Sequence, residues 1–383
     1  MSAPSVSPIR LHSLTGYRVI LAVAIFVHHA LTAARFFTDD FVNGLGLIAP
    51  YAHAALSSFF VLSGFVLAWA EPARDTVARF WRRRVVRIFP SQIATWALTL
   101  GLLAVFGSLP LLGGWPGTGP AVANLFLVQA WIPDPDYVLS VDGINWSVSC
   151  ELFFYLLFPF LIPLLRRIPA QRLGACFFGV VIWLAAVPAL ITVAFDGPAW
   201  PLWPPLSFVQ TWLVYFFPLG RLPEFLLGVL LALIVQAGRW PRLRAQWVAL
   251  FAVLVWLATW VLPAAYSRSG ILAVPFCLFI PIIAARDLEG RPTWLAGRHM
   301  VRWGNVTYAF YLLHWPMLAI TRYLVGVERT FDVLTGTVII VAVFVATQAG
   351  AYVLYRYLEL PLMHRFSSPR SKGHDPALGR PPA

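Results

Sequence analysis

An all-α membrane protein, folded as a single bundle of about ten transmembrane helices, is what this sequence predicts, and three observations predict it. Only 11% of its 383 residues are charged and 60% are hydrophobic, where a soluble domain carries roughly a quarter charged residues. Several segments hold the ~20 consecutive apolar residues that a hydrocarbon core requires. The arginines gather in every second connector between those segments, the pattern of connectors retained in the cytoplasm. A closed barrel would instead show short alternating segments of about ten residues.

Taken in order, the first apolar run is 17–36. It follows the short polar start Met1 to His12, holds ionisable groups and lacks a small-residue cleavage site, so it reads as a retained helix. Further spans are predicted at 52–72, 88–106, 146–165, 173–195, 221–237, 246–263, 270–285, 303–323 and 333–355. Arg74, Arg79, Arg82, Arg83, Arg84 and Arg87 fill one connector; Arg166, Arg167 and Arg172 fill another. Arg239, Arg242 and Arg244 mark a third, and Arg286, Arg291, Arg298 and Arg302 a fourth. The connectors 37–51, 107–145, 196–220, 264–269 and 324–332 are poor in arginine. Both termini in the cytoplasm satisfy every connector. Two shorter apolar stretches, Val122–Trp131 and Phe208–Phe217, are flanked by Pro and Gly and read as re-entrant or interfacial pieces. The membrane domain then takes residues 1–366. The Pro- and charge-rich stretch 367–383 reads as a disordered cytoplasmic tail.

The net charge of +12, from 28 Lys+Arg against 16 Asp+Glu, does not point to nucleic acid, because the arginines sit between apolar runs. Cys150, Cys176 and Cys277 all lie in apolar segments and form neither a disulfide framework nor a CxxC metal pair. No metal site is expected.

Four stretches carry possible chemistry. In GYRVILAVAIFVHH (16–29), Arg18 and His29 are eleven residues apart and share a helix face, with a rise of roughly 16 Å between them. Arg18 alone also fits a snorkelling residue, and His29 alone a helix–helix hydrogen bond; ionisable groups inside a membrane are nonetheless functional candidates by default. In INWSVSCELFFYLLFP (144–159), a carboxylate at Glu151 is costly in lipid unless paired. Ser147 is one possible partner and an imidazole on a facing helix a stronger one. In WGNVTYAFYLLHWPML (303–318), helix counting puts His314 near the height of His29, with Tyr311 beside it and Pro316 as a kink. His29, Glu151 and His314 are all expected in the outer half of the membrane. In FWRRRVVRIFP (80–90), the arginines suit phosphates by bidentate hydrogen bonding, or equally a lipid-headgroup patch. Ser63 and Gly64 read as helix-packing residues, Cys150 as packing, and Arg221–Glu224 as a simple ion pair.

A histidine near a carboxylate, above an arginine-rich cytoplasmic mouth, suggests general-base catalysis on a hydroxyl that attacks an activated acyl group. A proton relay in a transporter built on Arg18, His29 and Glu151 is the competing class, although no internal repeat is evident. No Gly-x-Ser-x-Gly elbow, Walker sequence or HExxH motif is present.

At these residues the chain resembles the acyltransferase family 3 of integral membrane O-acyltransferases, over roughly residues 13 to 366. The likeness rests on LTGYRVILAVAIFVHH, with Arg18 and His29 at the family's arginine–ten residues–histidine spacing, then on SFFVLSGFVL and on FWRRRVVRIFP, where Arg84 and Arg87 fit an Arg-x-x-Arg element. It continues through WSVSCELFFYLLFP, NVTYAFYLLHWP and ELP at 359–361; Tyr17 stands where the family usually has Leu. The resemblance implies a bacterial plasma-membrane enzyme with acyl-CoA as donor substrate and no bound cofactor. It implies His29, Glu151 and Arg18 as catalytic candidates, and Arg84 and Arg87 near the CoA phosphates. His314, Tyr311, Trp146 and Ser147 complete the expected substrate-binding set. VQAWIPDPDYV before INWSVSC is similar to an actinobacterial branch containing macrolide O-acyltransferases. A macrolide-type metabolite or a carbohydrate is therefore the expected hydroxyl-bearing acceptor, with envelope polysaccharide or lipid-linked glycan as the alternative.

Overall fold

Lipid offers the backbone no hydrogen-bond partner, so apolar runs of this length are forced into helix. That is what the computed structural model shows over the residues it describes, 10–39, 42, 50–70 and 76–367. Arg74 and the expected tail beyond 367 lie outside the described residues. Ten principal helices follow in order: α1 His12–His29, α2 Pro50–Ala70, α3 Val77–Phe106, α4 Trp146–Leu165 and α5 Leu173–Ala194. Then come α6 Pro218–Gln236, α7 Ala245–Ala258, α8 Gly270–Leu288, α9 Arg298–Val325 and α10 Val333–Leu354. No strand occurs among the described residues, only isolated bridges such as Phe37 with Phe331.

Eight of these helices, with their extensions, are long and apolar enough to cross a membrane. Of the other two, α7 is 14 residues long. Helix α9 has 28 residues, but Arg298, Arg302 and Asn305 fall in its first turns. Two expectations are corrected. Helix α3 starts at Val77, eleven residues before the predicted 88, because arginine is a good helix former even where hydropathy falls. At 30 residues it is roughly 45 Å long, well beyond the ~30 Å of hydrocarbon, so its arginine-bearing turns stand at one membrane surface. The stretch Phe208–Phe217 is not a separate re-entrant piece. It passes through a π-helical turn, Trp212–Phe216, into α6, with a break at Phe217. Phe217 is extended because the ring of Pro218 disfavours the helical conformation before it. The Val122–Trp131 stretch divides into a short helix, Thr118–Leu125, and a 3₁₀ turn at Gln129–Trp131.

Helix α6 runs through the centre of the bundle: Phe225, Leu227, Val229, Leu231 and Ala232 have no exposed surface. Helices α5 and α10 carry their large apolar residues outward, with Ile182 68% and Val338 59% exposed, as lipid-facing helices do. Helix α1 divides two cores. Leu14, Tyr17, Leu21 and Ile25 enter the larger one, and Ala22, Phe26 and Ala30 enter a second shared with Phe310 and Leu313 of α9. The start of α1 is tied to the α8–α9 connector, where Ser13 donates to Asp287 (2.9 Å from N, 2.5 Å from Oγ) and accepts from the Thr293 amide. The arginine-bearing starts of α3 and α9 meet at the same face, with Arg87 donating to the Asn305 carbonyl.

Close approach of α2 and α6 depends on two glycines. A methyl group at Gly64 would strike the Phe225 carbonyl, and one at Gly228 the Val61 carbonyl. Here the small residue lets one helix backbone lie on the next, a common device where lipid supplies no hydrophobic drive. Gly228→Leu is therefore expected to lower stability by at least the ~1–3 kcal/mol of an overpacked core. An unchanged thermal midpoint in detergent would show that the backbones do not bear on each other.

Candidate active site

A cavity of about 140 Å³ opens between α1, α2, α3, α4 and α9. Arg18, Arg84, Arg87, Glu151, Ser147 and Tyr311 are all among its lining residues, so six of the nine site residues expected from the sequence converge on it. Three guanidinium groups face one carboxylate there. Asp142, buried in the loop before α4, does not offset that balance: it lies outside the lining, and burial pushes its carboxyl well above its ordinary range.

Each guanidinium is held differently. Arg87 donates to Glu359 at 2.7 Å, while the other oxygen of that carboxylate accepts from Ser91, also at 2.7 Å. Glu359 ends a π-helical turn, Tyr355–Glu359, that follows α10. Arg84 has no hydrogen-bond partner among the described residues; its guanidinium sits over the rings of Phe80 and Tyr155 at 5.4 and 5.6 Å, and its Nε is buried. Arg18 likewise has no hydrogen-bond or ion-pair partner among the described residues, and Arg84, Arg87 and Glu151 act on it electrostatically. Two cationic side chains at a cavity wall without a bonded counter-ion form a ready anion site.

One oxygen of Glu151 is engaged by its own surroundings. Tyr155, one turn on in α4, donates to it, and Ser63 of α2 lies 3.4 Å from the same oxygen and 3.3 Å from the tyrosine hydroxyl. Ser147, expected beside Glu151, instead pairs with the Tyr311 hydroxyl at 2.7 Å and donates to the Ile144 carbonyl. Ser63, read as packing, is thus a cavity residue, whereas Gly64 does pack.

The imidazole–carboxylate meeting expected between His29 and Glu151 does not occur. His29 Nδ1 lies 2.9 Å from His314 Nε2, the two rings stack 5.2 Å apart, and His314 Nδ1 lies 2.5 Å from the Tyr311 carbonyl. Neither histidine lines the cavity, but Tyr311 bridges the two places, with its hydroxyl in the lining and its carbonyl on His314. Glu151 accordingly shares a level with the arginines, and the common depth expected for His29, Glu151 and His314 holds only for the two histidines. His29 closes α1 where the chain turns π-helical over Ala30–Ala34, a local irregularity frequent at functional sites. Trp146 is buried against Tyr215 and Phe216, away from the cavity. Sequence reasoning missed Tyr155, Ser63 and Glu359 as site residues. Tyr155 was within reach, being one helical turn from the carboxylate it serves.

A second polar cluster is closed. Arg221 and Glu224 pair at 3.0 Å with no exposed surface, as expected, and Ser57 accepts from Arg221 at 2.7 Å. Cys150 is buried against the Phe216 carbonyl, and no metal-binding cluster occurs among the described residues. Arg221→Met alone leaves a buried carboxylate unpaired and is expected to cost about 3–5 kcal/mol, much of it regained by adding Glu224→Leu. Urea unfolding of both variants measures this; equal loss in both would contradict a purely structural pair.

Compared with known proteins, residues 11–356 match the family model described as an acyltransferase domain. The chain is 33% identical to "Acyltransferase MdmB" of Streptomyces mycarofaciens, across 98% of this chain and 97% of that protein. It is 23% identical to "O-acetyltransferase OatA" of Staphylococcus aureus strain NCTC 8325, covering 93% of this chain and 58% of the relative. It is 26% identical to "Exopolysaccharide production protein ExoZ" of Rhizobium meliloti strain 1021, over 82% and 90%. No solved structure matches.

Proposed function

Since the chain belongs to the acyltransferase family whose domain it carries over residues 11–356, we propose that it moves a short acyl group from acyl-CoA to an acceptor hydroxyl within the bacterial plasma membrane. Its ten helices all cross, with both termini cytoplasmic. The positive-inside pattern supports this, as do the bonds of Ser13 to Asp287 and Thr293, which set the start of α1 beside an arginine-rich connector. A proton-coupled transporter, the other class open from sequence, draws no support from the family.

The observation that carries the reading is the cavity with unpaired Arg18 and Arg84 on its wall and a histidine pair one residue beyond it. The arginines take the CoA phosphates. Arg18, expected as a catalytic partner of His29, joins Arg84 and Arg87 in this role. At about 140 Å³ the cavity is well under the roughly 300–1,000 Å³ of ordinary ligand pockets. It therefore admits the narrow pantetheine arm and leaves the nucleotide at the cytoplasmic mouth. Glu151 accepts from the amide N–H groups of that arm. His29 removes the acceptor's hydroxyl proton as its oxygen attacks the thioester carbonyl. The C–S bond then breaks, and the departing thiolate takes the proton back from the imidazolium. The products are an ester and free CoA, and no covalent enzyme intermediate is needed.

For the acceptor, the full-length likeness to a Streptomyces acyltransferase, together with the VQAWIPDPDYV stretch, favours a hydroxyl of a macrolide-type secondary metabolite. The O-acetyltransferase and exopolysaccharide relatives favour a carbohydrate instead. Free-thiol release from acetyl-CoA by the purified protein, assayed against macrolides and glycans, separates the two. No release with any acceptor would overturn the proposal.

His29→Ala is expected to lower kcat by about 10²–10⁴ while the protein inserts and folds normally; near-normal turnover would remove His29 from the mechanism. Arg84→Ala is expected to weaken donor binding about tenfold or more, the value of one charge-assisted hydrogen bond. An unchanged acyl-CoA Kd would contradict the phosphate assignment. Glu151→Gln is expected to lower turnover less than His29→Ala does.

A further inference from the structure

The contacts of the histidine pair determine which nitrogen can act as base. A backbone carbonyl only accepts hydrogen bonds. With the Tyr311 carbonyl 2.5 Å from it, His314 Nδ1 must carry the proton. His314 is 1% exposed, packed among Phe26, Phe310 and Tyr311 with no carboxylate in contact. That setting favours the neutral ring, and a neutral ring protonated at Nδ1 presents a lone pair at Nε2. The partner of that lone pair is His29 Nδ1, at 2.9 Å, so His29 Nδ1 carries the second proton and donates it. His29 Nε2 is left with the lone pair and has no hydrogen-bond partner among the described residues.

We infer that His314 is a positioning residue, which holds His29 in the tautomer whose Nε2 is the base. This rests on the acyl-transfer reading for its purpose, though the tautomers themselves do not. The chain of hydrogen bonds runs from His29 Nδ1–H to His314 Nε2, and from His314 Nδ1–H to the Tyr311 carbonyl. When Nε2 takes the acceptor's hydroxyl proton, His29 becomes imidazolium. Its bond to His314 then becomes charge-assisted and strengthens by about a factor of two. In aqueous enzymes a carboxylate performs this orienting task. Inside a membrane a neutral imidazole does it without placing a second charge in a medium that penalises charge heavily. The carboxylate of Glu151 is left to the cavity. The substrate-binding role expected of His314 falls away, because both of its ring nitrogens are already engaged.

The test compares His314→Gln with His314→Leu in the full-length protein. Glutamine can reproduce both halves of the neutral ring, its NH₂ donating to the Tyr311 carbonyl and its oxygen accepting from His29; leucine can do neither. His314→Leu is expected to lose about a hundredfold in kcat with donor KM unchanged. His314→Gln is expected to recover at least tenfold of that, at matched thermal midpoints. Equal impairment of the two variants, or near-normal turnover in the leucine variant, would overturn the proposal. Where the leucine variant does not fold, the ¹⁵N-histidine spectrum of the wild-type protein decides. Protonated Nδ1 and unprotonated Nε2 in both rings, assigned by loss of the His29 signals in His29→Ala, is the expected result. A His29 ring protonated at Nε2 would refute it. That spectrum needs no acyl donor, so a failure of the enzymatic reading and a failure of this one remain distinguishable.

Discussion

Hydrocarbon penalises an unpaired charge more heavily than any other feature of this molecule, and the polar architecture follows from that constraint. Arg221 is paired with Glu224 and Ser57, Arg87 with Glu359, and one oxygen of Glu151 with Tyr155 and Ser63. Arg18 and Arg84 at the cavity wall and Nε2 of His29 are left without bonded partners among the described residues. Buried groups elsewhere are open too, Nδ1 of His53, Oδ2 of Asp142 and Nη1 of Arg322 among them; what sets Arg18 and Arg84 apart is that they share one cavity wall.

The same constraint explains why the helices pack so closely. Lipid tails are as apolar as leucine, so helices gain little from hiding apolar surface and depend instead on shape. Gly64 and Gly228 bring α2 and α6 to backbone contact, and Gly304 does the same for α9 against Thr15 of α1. The α1–α9 contact also carries the histidine pair, since His29 and His314 belong to those two helices.

Much of this was legible in the sequence. The all-helical class and the order of the long apolar helices follow from apolar length, because that responds to lipid alone. Six of the nine expected site residues line the cavity, and the Arg221–Glu224 pair formed as its spacing suggested. What stayed hidden depended on rotation about helix axes. Counting residues along α4 fixes neither the direction Glu151 faces nor its level against the other helices, so sequence alone favours His29 as its partner where the structure gives Tyr155 and Ser63. The start of α3 was placed too late because hydropathy registers the charge of arginine and ignores its helix propensity. Nothing local to Glu359 points to Arg87, 272 residues away.

That last contact has a consequence for how the protein is made. Arg87 and Glu359 are 272 residues apart in the chain, and the ribosome delivers them in that order. Through most of synthesis the third helix is without this acid, which arrives only after the final span. Arg87 at the cavity wall therefore gains its partner late, and a nascent chain holds no finished cavity until elongation is nearly complete.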